Sequence, residues 1–247
     1  MSNRLKNKII IVTGGSGLLG SEIIANILRE GGFCINMDIN AETTSDLSDL
    51  KCDITDINSI NHSINQVITK YHHIDGLVNN AYPRTSDWGN KFEDIMFTSW
   101  QKNVDTQLNS YFYFLQQVSK HMVPVQSGSI INMASVYGIV GPDFTVYEGT
   151  SMTMPAAYSA IKGAIINLSR YLASYLGPFN IRVNTISPGG IFDHQSPIFV
   201  NNYENKVPMR RMGLPEDISP LAVFLLSDES KYITGQYIAV DGGWTAI

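Results

Sequence analysis

Cysteine is nearly absent from this 247-residue chain, which has only Cys34 and Cys52. Two isolated thiols give neither a disulfide framework nor metal-ligand spacing, and both read as small buried residues. The histidines His62, His72, His73, His121 and His194 show no ligand pattern either, and His72-His73 reads as a helix end, so no metal site is expected. Basic charge is also scarce. With 17 Lys and Arg against 22 Asp and Glu, the net charge is -5, which argues against binding nucleic acid by phosphate neutralisation. Long apolar runs are missing as well. Behind Met1 to Lys8 come four apolar residues, Ile9 to Val12, and then glycines, too short a run for a signal or membrane segment. A cytoplasmic protein with no membrane partner is expected. No repeat, linker, low-complexity tract or composition break divides the chain, so residues 1–247 are expected to form one domain. A hydrophobic content of 44% with 16% charged residues suits a soluble core of that size.

What is present is an alternation. Ile9 to Val12, Phe33 to Met37, Gly76 to Val78, Ser129 to Met133, Ile181 to Ile186 and Tyr237 to Val240 are short apolar runs that read as buried strands. Between them Leu18, Leu19, Ile23, Ile24, Ile27 and Leu28 recur at helical spacing, as do Ile57, Ile60, Ile64, Val67 and Ile68. Strand and helix in alternation predict an α/β fold, a doubly wound parallel sheet with helices on both faces and ligands outside the carboxyl ends of the strands. Gly141 to Pro155 and Gly189 to Pro208 are turn-rich and weakly periodic, and are expected to be substrate loops.

Thr13-Gly-Gly-Ser-Gly-Leu-Leu-Gly20 follows the first strand and opens the first long helix. Glycines in that position let backbone approach a pyrophosphate at a helix N-terminus, so Gly14, Ser16, Gly17 and Leu18 are candidate cofactor contacts. Asp38 follows the second strand, where a carboxylate accepts hydrogen bonds from the adenosine ribose and repels a 2'-phosphate. With no Arg or Lys in Thr13 to Gly20 or directly after Asp38, NAD is favoured over NADP.

Tyr158-Ser-Ala-Ile-Lys162 supplies the acid/base chemistry. A spacing of four on a helix places both side chains on one face, with an ammonium where it favours the ionised phenol. Free tyrosine titrates near ~10, so a phenolate working near neutral pH needs a large depression. Lys162, a bound nicotinamide cation and burial of the pair are expected to supply it together. Ser135, at the end of Ser129-Ile-Ile-Asn-Met-Ala-Ser135, places a hydroxyl where it can hydrogen-bond the reacting oxygen.

In this combination the chain resembles the short-chain dehydrogenase/reductase family, in its single-domain branch. The resemblance runs over nearly the whole chain through Thr13 to Gly20, Asp53, Asn79-Asn-Ala81, Asn103, Ser135, Tyr158, Lys162, Pro188-Gly-Gly190 and Ile233 to Gly243. It implies a Rossmann-type three-layer fold and NAD-dependent interconversion of an alcohol and a ketone. It further implies adenine contacts from Asp53 and Ile54, cofactor-lining positions at Asn80, Ala81, Pro188, Gly189 and Ile191, and a nicotinamide-ribose contact from Lys162. Asn103 is expected to hold a water linking Lys162 to solvent. A homo-oligomer, dimer or tetramer, is implied as well, with helices around Trp100 to Met122 and Ala157 to Leu176 apolar on more than one face.

The chain departs from that branch in four places. Gly17 with Gly20 matches the glycine spacing of the longer, sugar-nucleotide-modifying branch, Tyr82 stands where glycine usually follows Asn-Asn-Ala, and Asp193 stands where threonine usually meets the carboxamide. Ser135 and Tyr158 are 23 residues apart, where the branch has nearer a dozen. The inserted Gly141 to Pro155 mixes aromatics with Asp143, Glu148 and hydroxyls, which suits a polyhydroxylated substrate. It resembles the insert of members linked to bacterial surface-polysaccharide and nonulosonic-acid sugar synthesis. Tyr147, Glu148, Arg84, His194 and Ser135 are the candidate substrate residues, with Arg84, His194, Arg210 and Arg211 able to meet a phosphate or carboxylate. A 3-oxoacyl thioester reductase and a non-catalytic NAD-binding protein are the alternatives.

Overall fold

A computed structural model describes residues 3–247. Seven strands form one parallel sheet: β1 (Ile9–Thr13), β2 (Phe33–Asp38), β3 (Asp49–Lys51), β4 (Gly76–Asn79), β5 (Gly128–Met133), β6 (Ile181–Pro188) and β7 (Tyr237–Val240). Their order across the sheet is β3-β2-β1-β4-β5-β6-β7. Six of them are the apolar runs of the sequence. The edge strand β3 has no such run, because only Leu50 of its three residues is buried; it is held by pairing with Asn36 to Asp38 of β2.

Alternate residues of β1 feed opposite cores, which is why an unbroken apolar run was needed. Ile9 and Ile11 pack with Ile60, Ile64 and Val67 of α2 (Ile57–Tyr71) and with Phe114, Val118 and Met122 of α4 (Ser110–Val125). Ile10 and Val12 pack on the other face with Ile23 and Ile27 of α1 (Leu18–Arg29) and with Ala222, Val223 and Leu226 of α7 (Pro215–Leu226). Phe114 is fully buried, and truncating such a side chain to alanine typically removes about 3–5 kcal/mol. Helix α2 starts at Asp56, whose side chain accepts the Asn58 N–H, and ends where His72 turns left-handed at φ 67°.

Two stretches differ from expectation. The helix expected around Trp100 to Met122 is α3 (Phe97–Val104) running through a π-turn at Asp105–Asn109 into α4. The expected loop Gly189 to Pro208 contains a helix, α6 (Pro197–Lys206), whose two buried anchors are Phe199 and Tyr203. Two anchors four residues apart are too few for an apolar period to stand out, although Pro197 at the first turn was a start signal. α5 (Ala156–Leu176) buries Ala157, Ile161, Ile165, Ser169, Ala173 and Leu176 along one stripe. No helix among the described residues is long and apolar enough to cross a membrane.

The strand order reverses between β1 and β4, so the connections leave to opposite faces and a crevice opens above the carboxyl ends of both.

Candidate active site

That crevice is one cavity of about 780 Å³. At one end it is floored by the first glycine turn. Gly17 is the N-cap of α1 and no side chain caps the helix, so its first N–H groups face the cavity as anion donors. Gly14 sits at φ 65°, and a Cβ there would lie 2.7 Å from the Ala81 Cα, so only glycine lets the β1 and β4 turns approach this closely. Thr13 joins them: its Oγ1 accepts the N–H groups of Asn80 (2.9 Å) and Ala81 (3.1 Å). Asn80 answers by donating to the carbonyls of Thr13 and Gly14, both at 3.1 Å. The Asn-Asn-Ala stretch is therefore a structural turn and a cavity wall at once. Asp38 accepts from the backbone of Ser16 (3.1 Å) and Asn40 (2.8 Å), leaving carboxylate lone pairs over for a further donor. Asp53 and Ile54 line the same end. Uncapped amides, a glycine-lined floor and a carboxylate with spare acceptor sites fit a dinucleotide.

At the other end stand Ser135, Tyr158 and Lys162. Ser135 lies two residues beyond β5 with extended backbone, and its Oγ accepts the Tyr137 N–H at 3.2 Å, which leaves the hydroxyl proton to donate. Lys162 is buried, and its Nζ donates to the Met133 carbonyl at 2.8 Å while lying 5.6 Å from the Tyr158 ring centre. Gly138 makes the packing possible, since a Cβ there would meet the Lys162 carbonyl carbon at 2.6 Å. Strand β5 and helix α5 thus fix all three groups together.

Burial pushes the Tyr158 phenol up, opposed by its hydrogen bond with Ser135. Burial also lowers Lys162 to about 8. The expectation that burial helps ionise Tyr158 is thereby corrected: taking a charge out of water disfavours the phenolate. Any lowering must come from Ser135, from positive charge and from the bound partner.

Two further aromatic groups surround the pair. Tyr82, in place of the usual glycine, stands edge-on to Tyr158 (5.7 Å between centres) and to Trp88 (5.7 Å), and its ring lies 5.4 Å from the Lys162 Nζ. Across the cavity the Tyr137 phenol hydrogen-bonds that of Tyr147, which burial pushes up to about 12. Tyr147 packs on Phe199 of α6, and Tyr203 stacks on Trp244 at 4.7 Å.

The cavity gathers every cofactor position expected from sequence, together with Ser135, Arg84 and Tyr147. It does not gather Asn103, Glu148 or His194. Asn103 is buried, but its Oδ1 accepts the Thr85 N–H (3.1 Å) and its Nδ2 donates to Thr85 Oγ1 (2.8 Å) and the Ser99 carbonyl (3.0 Å). Its carboxamide fastens the segment after Tyr82 onto α3. Four residues on, in the π-turn, Gln107 is buried with both carboxamide atoms unpartnered among the described residues, as is the Tyr111 hydroxyl, whose ring lies 5.9 Å from the Lys162 Nζ. Buried polar atoms of this kind are those that ordered water satisfies. Gln107 lies in the π-turn and Tyr111 in the first turn of α4, and neither position has a signature in the sequence. Glu148 and His194 are exposed, and His194 turns away at φ 55° against Phe192.

Comparison with known proteins agrees with this geometry. A family model described as Enoyl-(Acyl carrier protein) reductase matches residues 20–245. A post-translational flagellin modification protein A of Campylobacter coli is 38% identical over 97% of this chain and 99% of its own. The chain belongs to the short-chain dehydrogenase/reductase family. Another member, a 3-oxoacyl-[acyl-carrier-protein] reductase of Chlamydia muridarum, is 33% identical over 98% of this chain and 99% of its own. Among solved structures, a short chain dehydrogenase of Leptospira borgpetersenii with bound NAD+ superposes with a TM-score of 0.89 at 33% identity, covering 98% of this chain and 94% of that one. As a short-chain dehydrogenase/reductase, this protein is an oxidoreductase acting on CH–OH groups with a nicotinamide dinucleotide.

Proposed function

We propose that the protein interconverts a secondary alcohol and a ketone on a sugar, sugar phosphate or nucleotide sugar, using NAD, in surface-glycan biosynthesis. The observation that carries this reading is the chamber beyond Ser135 and Tyr158, where Tyr137, Tyr147, Phe199 and Tyr203 meet Arg84, Thr153 and Asp193. Aromatic faces cover the apolar side of a pyranose, while hydroxyls and charges at the rim bond its hydroxyl groups. The flagellin-modification relative supports the glycan setting.

When bound, the nicotinamide supplies the hydride acceptor or donor. Ser135 donates its free proton to the reacting oxygen and holds it beside Tyr158. Tyr158 takes the alcohol proton on oxidation and returns it on reduction, a transfer worth typically about 10²–10⁴ in rate. Lys162 keeps positive charge at the phenol ring. Asp38 and the absence of a cation beside it support NAD over NADP; the NAD+-bound neighbour points the same way. A cytoplasmic setting, where NAD is available, is part of the same proposal. Self-association through α4 and α5 accounts for the exposed Phe112, Tyr171 and Tyr175 there, and a monomer in sedimentation velocity would overturn it.

The test is NADH formation by the purified protein over hexoses, amino sugars, sugar phosphates and nucleotide sugars. Turnover of one of these classes is expected. Silence across them, with reduction of a 3-oxoacyl thioester, would place the protein with its acyl-reducing relatives instead.

A further inference from the structure

Four side chains were candidates to meet an anionic group on the substrate; two are otherwise engaged and a third lies outside the cavity. Arg211 makes a two-pronged ion pair with Asp217 at 2.6 and 2.8 Å, which braces the start of α7. Arg210 donates to the Asn205 carbonyl. His194 lies outside the cavity. Arg84 lines the cavity and forms no ion pair among the described residues.

Its mounting is specific. The Arg84 guanidinium lies 5.8 Å from the centre of the Tyr82 ring. That ring is itself held between two others, at near right angles to Trp88 and to Tyr158 with 5.7 Å between centres in each case. A guanidinium laid over an aromatic ring keeps its fork of N–H groups free at the edge, the geometry that suits a carboxylate or phosphate. The other cation of the cavity, Lys162, is buried and committed to Met133, while Asp38, Asp53 and Asp193 make the remaining charges of the lining negative. In a chain of net charge -5, an anion reaching this chamber has one exposed cation to meet.

We propose that Arg84, carried on the Tyr82 ring that stands edge-on to Tyr158, anchors a phosphate or carboxylate of the substrate. This rests on the sugar reading above and narrows it to acidic sugars: a sugar phosphate, a nucleotide sugar or a sugar acid. Tyr82 then has a purpose at a position where glycine would leave Arg84 without a platform.

Calorimetric titration of the NAD-saturated protein tests it, with inorganic phosphate and acetate as probes, followed by glucose, glucose 6-phosphate and glucuronate. Wild type is expected to bind at least one anion saturably. Arg84→Gln should weaken that binding about tenfold or more, Arg84→Lys should keep part of it, and NAD affinity should stay within about twofold. The stronger of the two anions identifies the group. Absence of saturable anion binding would overturn the proposal, as would anion binding that survives Arg84→Gln, or a fall in NAD affinity that put Arg84 on the cofactor. Anion binding lost in Arg84→Gln, with none of the three sugars competing for the site, would sustain the anchor while removing the sugar reading.

Discussion

Replacing Asn202 with leucine is expected to loosen the cap over the substrate chamber while leaving the sheet intact. Asn202, on α6, donates through one amide group to the carbonyls of Val146 (3.3 Å) and Glu148 (3.1 Å) in the inserted segment. Each neutral hydrogen bond is worth roughly 0.5–1.5 kcal/mol, so their loss removes about 2 kcal/mol. Lys206 pairs with Asp143 at the other end of the same contact, but it is half exposed and adds only ~0.5 kcal/mol. The Tyr147 ring on Phe199, 5.3 Å apart, keeps the closed form populated. A loss of about 2 kcal/mol raises the open fraction roughly 30-fold. Hydrogen exchange read by mass spectrometry should show residues 141–155 and 197–206 exchanging faster together by about that factor, with β5 and β6 unchanged. Substrate KM should rise more than kcat falls. Unchanged exchange in both segments, or acceleration in only one, would refute the view that insert and α6 form a single cap.

Three further outcomes follow from the same geometry. Gly138→Ala places a methyl 2.6 Å from the Lys162 carbonyl carbon, so it should force α5 away from Ser135 and destabilise the fold by about 1–3 kcal/mol. Turnover should fall more than NAD affinity, and an unchanged Tm and kcat would contradict this. Asp38→Ala should reduce NAD affinity and raise the NADP to NAD preference by about tenfold, the equivalent of one charge-assisted hydrogen bond; an unchanged ratio in coenzyme binding would remove Asp38 from that role. Asp143 and Asp217 are held at about 2, by hydrogen bonds from Lys206 and Arg211 respectively, against an ordinary 3.8. A carboxyl lowered by folding contributes stability that is complete above about pH 4 and lost as pH falls towards about 2. Urea midpoints should therefore decline through that window, and less steeply in Asp217→Asn.

Sequence reading reached the parts of the protein whose signals are local. Apolar runs located six strands because a parallel sheet buried on both faces leaves no polar register, and the four-residue step from Tyr158 to Lys162 needed only a helix. The residues that line the cofactor end of the cavity lie at strand ends too, the glycine turn directly after β1, Asp38 as the last residue of β2 and Asp53 two residues past β3. What stayed hidden depends on tertiary partners. Strand β3 exists through its pairing with β2, and α6 exists through Phe199 and Tyr203 packing under the insert. The ties of the Asn103 carboxamide to Thr85 and Ser99, and the lack of a partner for the Gln107 carboxamide among the described residues, are visible only in the fold. Tyr82 was visible as a departure from the family pattern; its placement between Arg84, Trp88 and Tyr158 was not.

The proposed chemistry passes its proton through one hydroxyl. Tyr158→Phe removes it while keeping the ring contacts to Tyr82 and Trp88 and the face turned to Lys162. Turnover of whichever substrate class forms NADH should then be measured beside NAD binding, in wild type and variant. The account predicts a fall in kcat of about 10²-fold or more with NAD affinity essentially unchanged. Turnover that persists near the wild-type rate would show that Tyr158 is not the acid/base group.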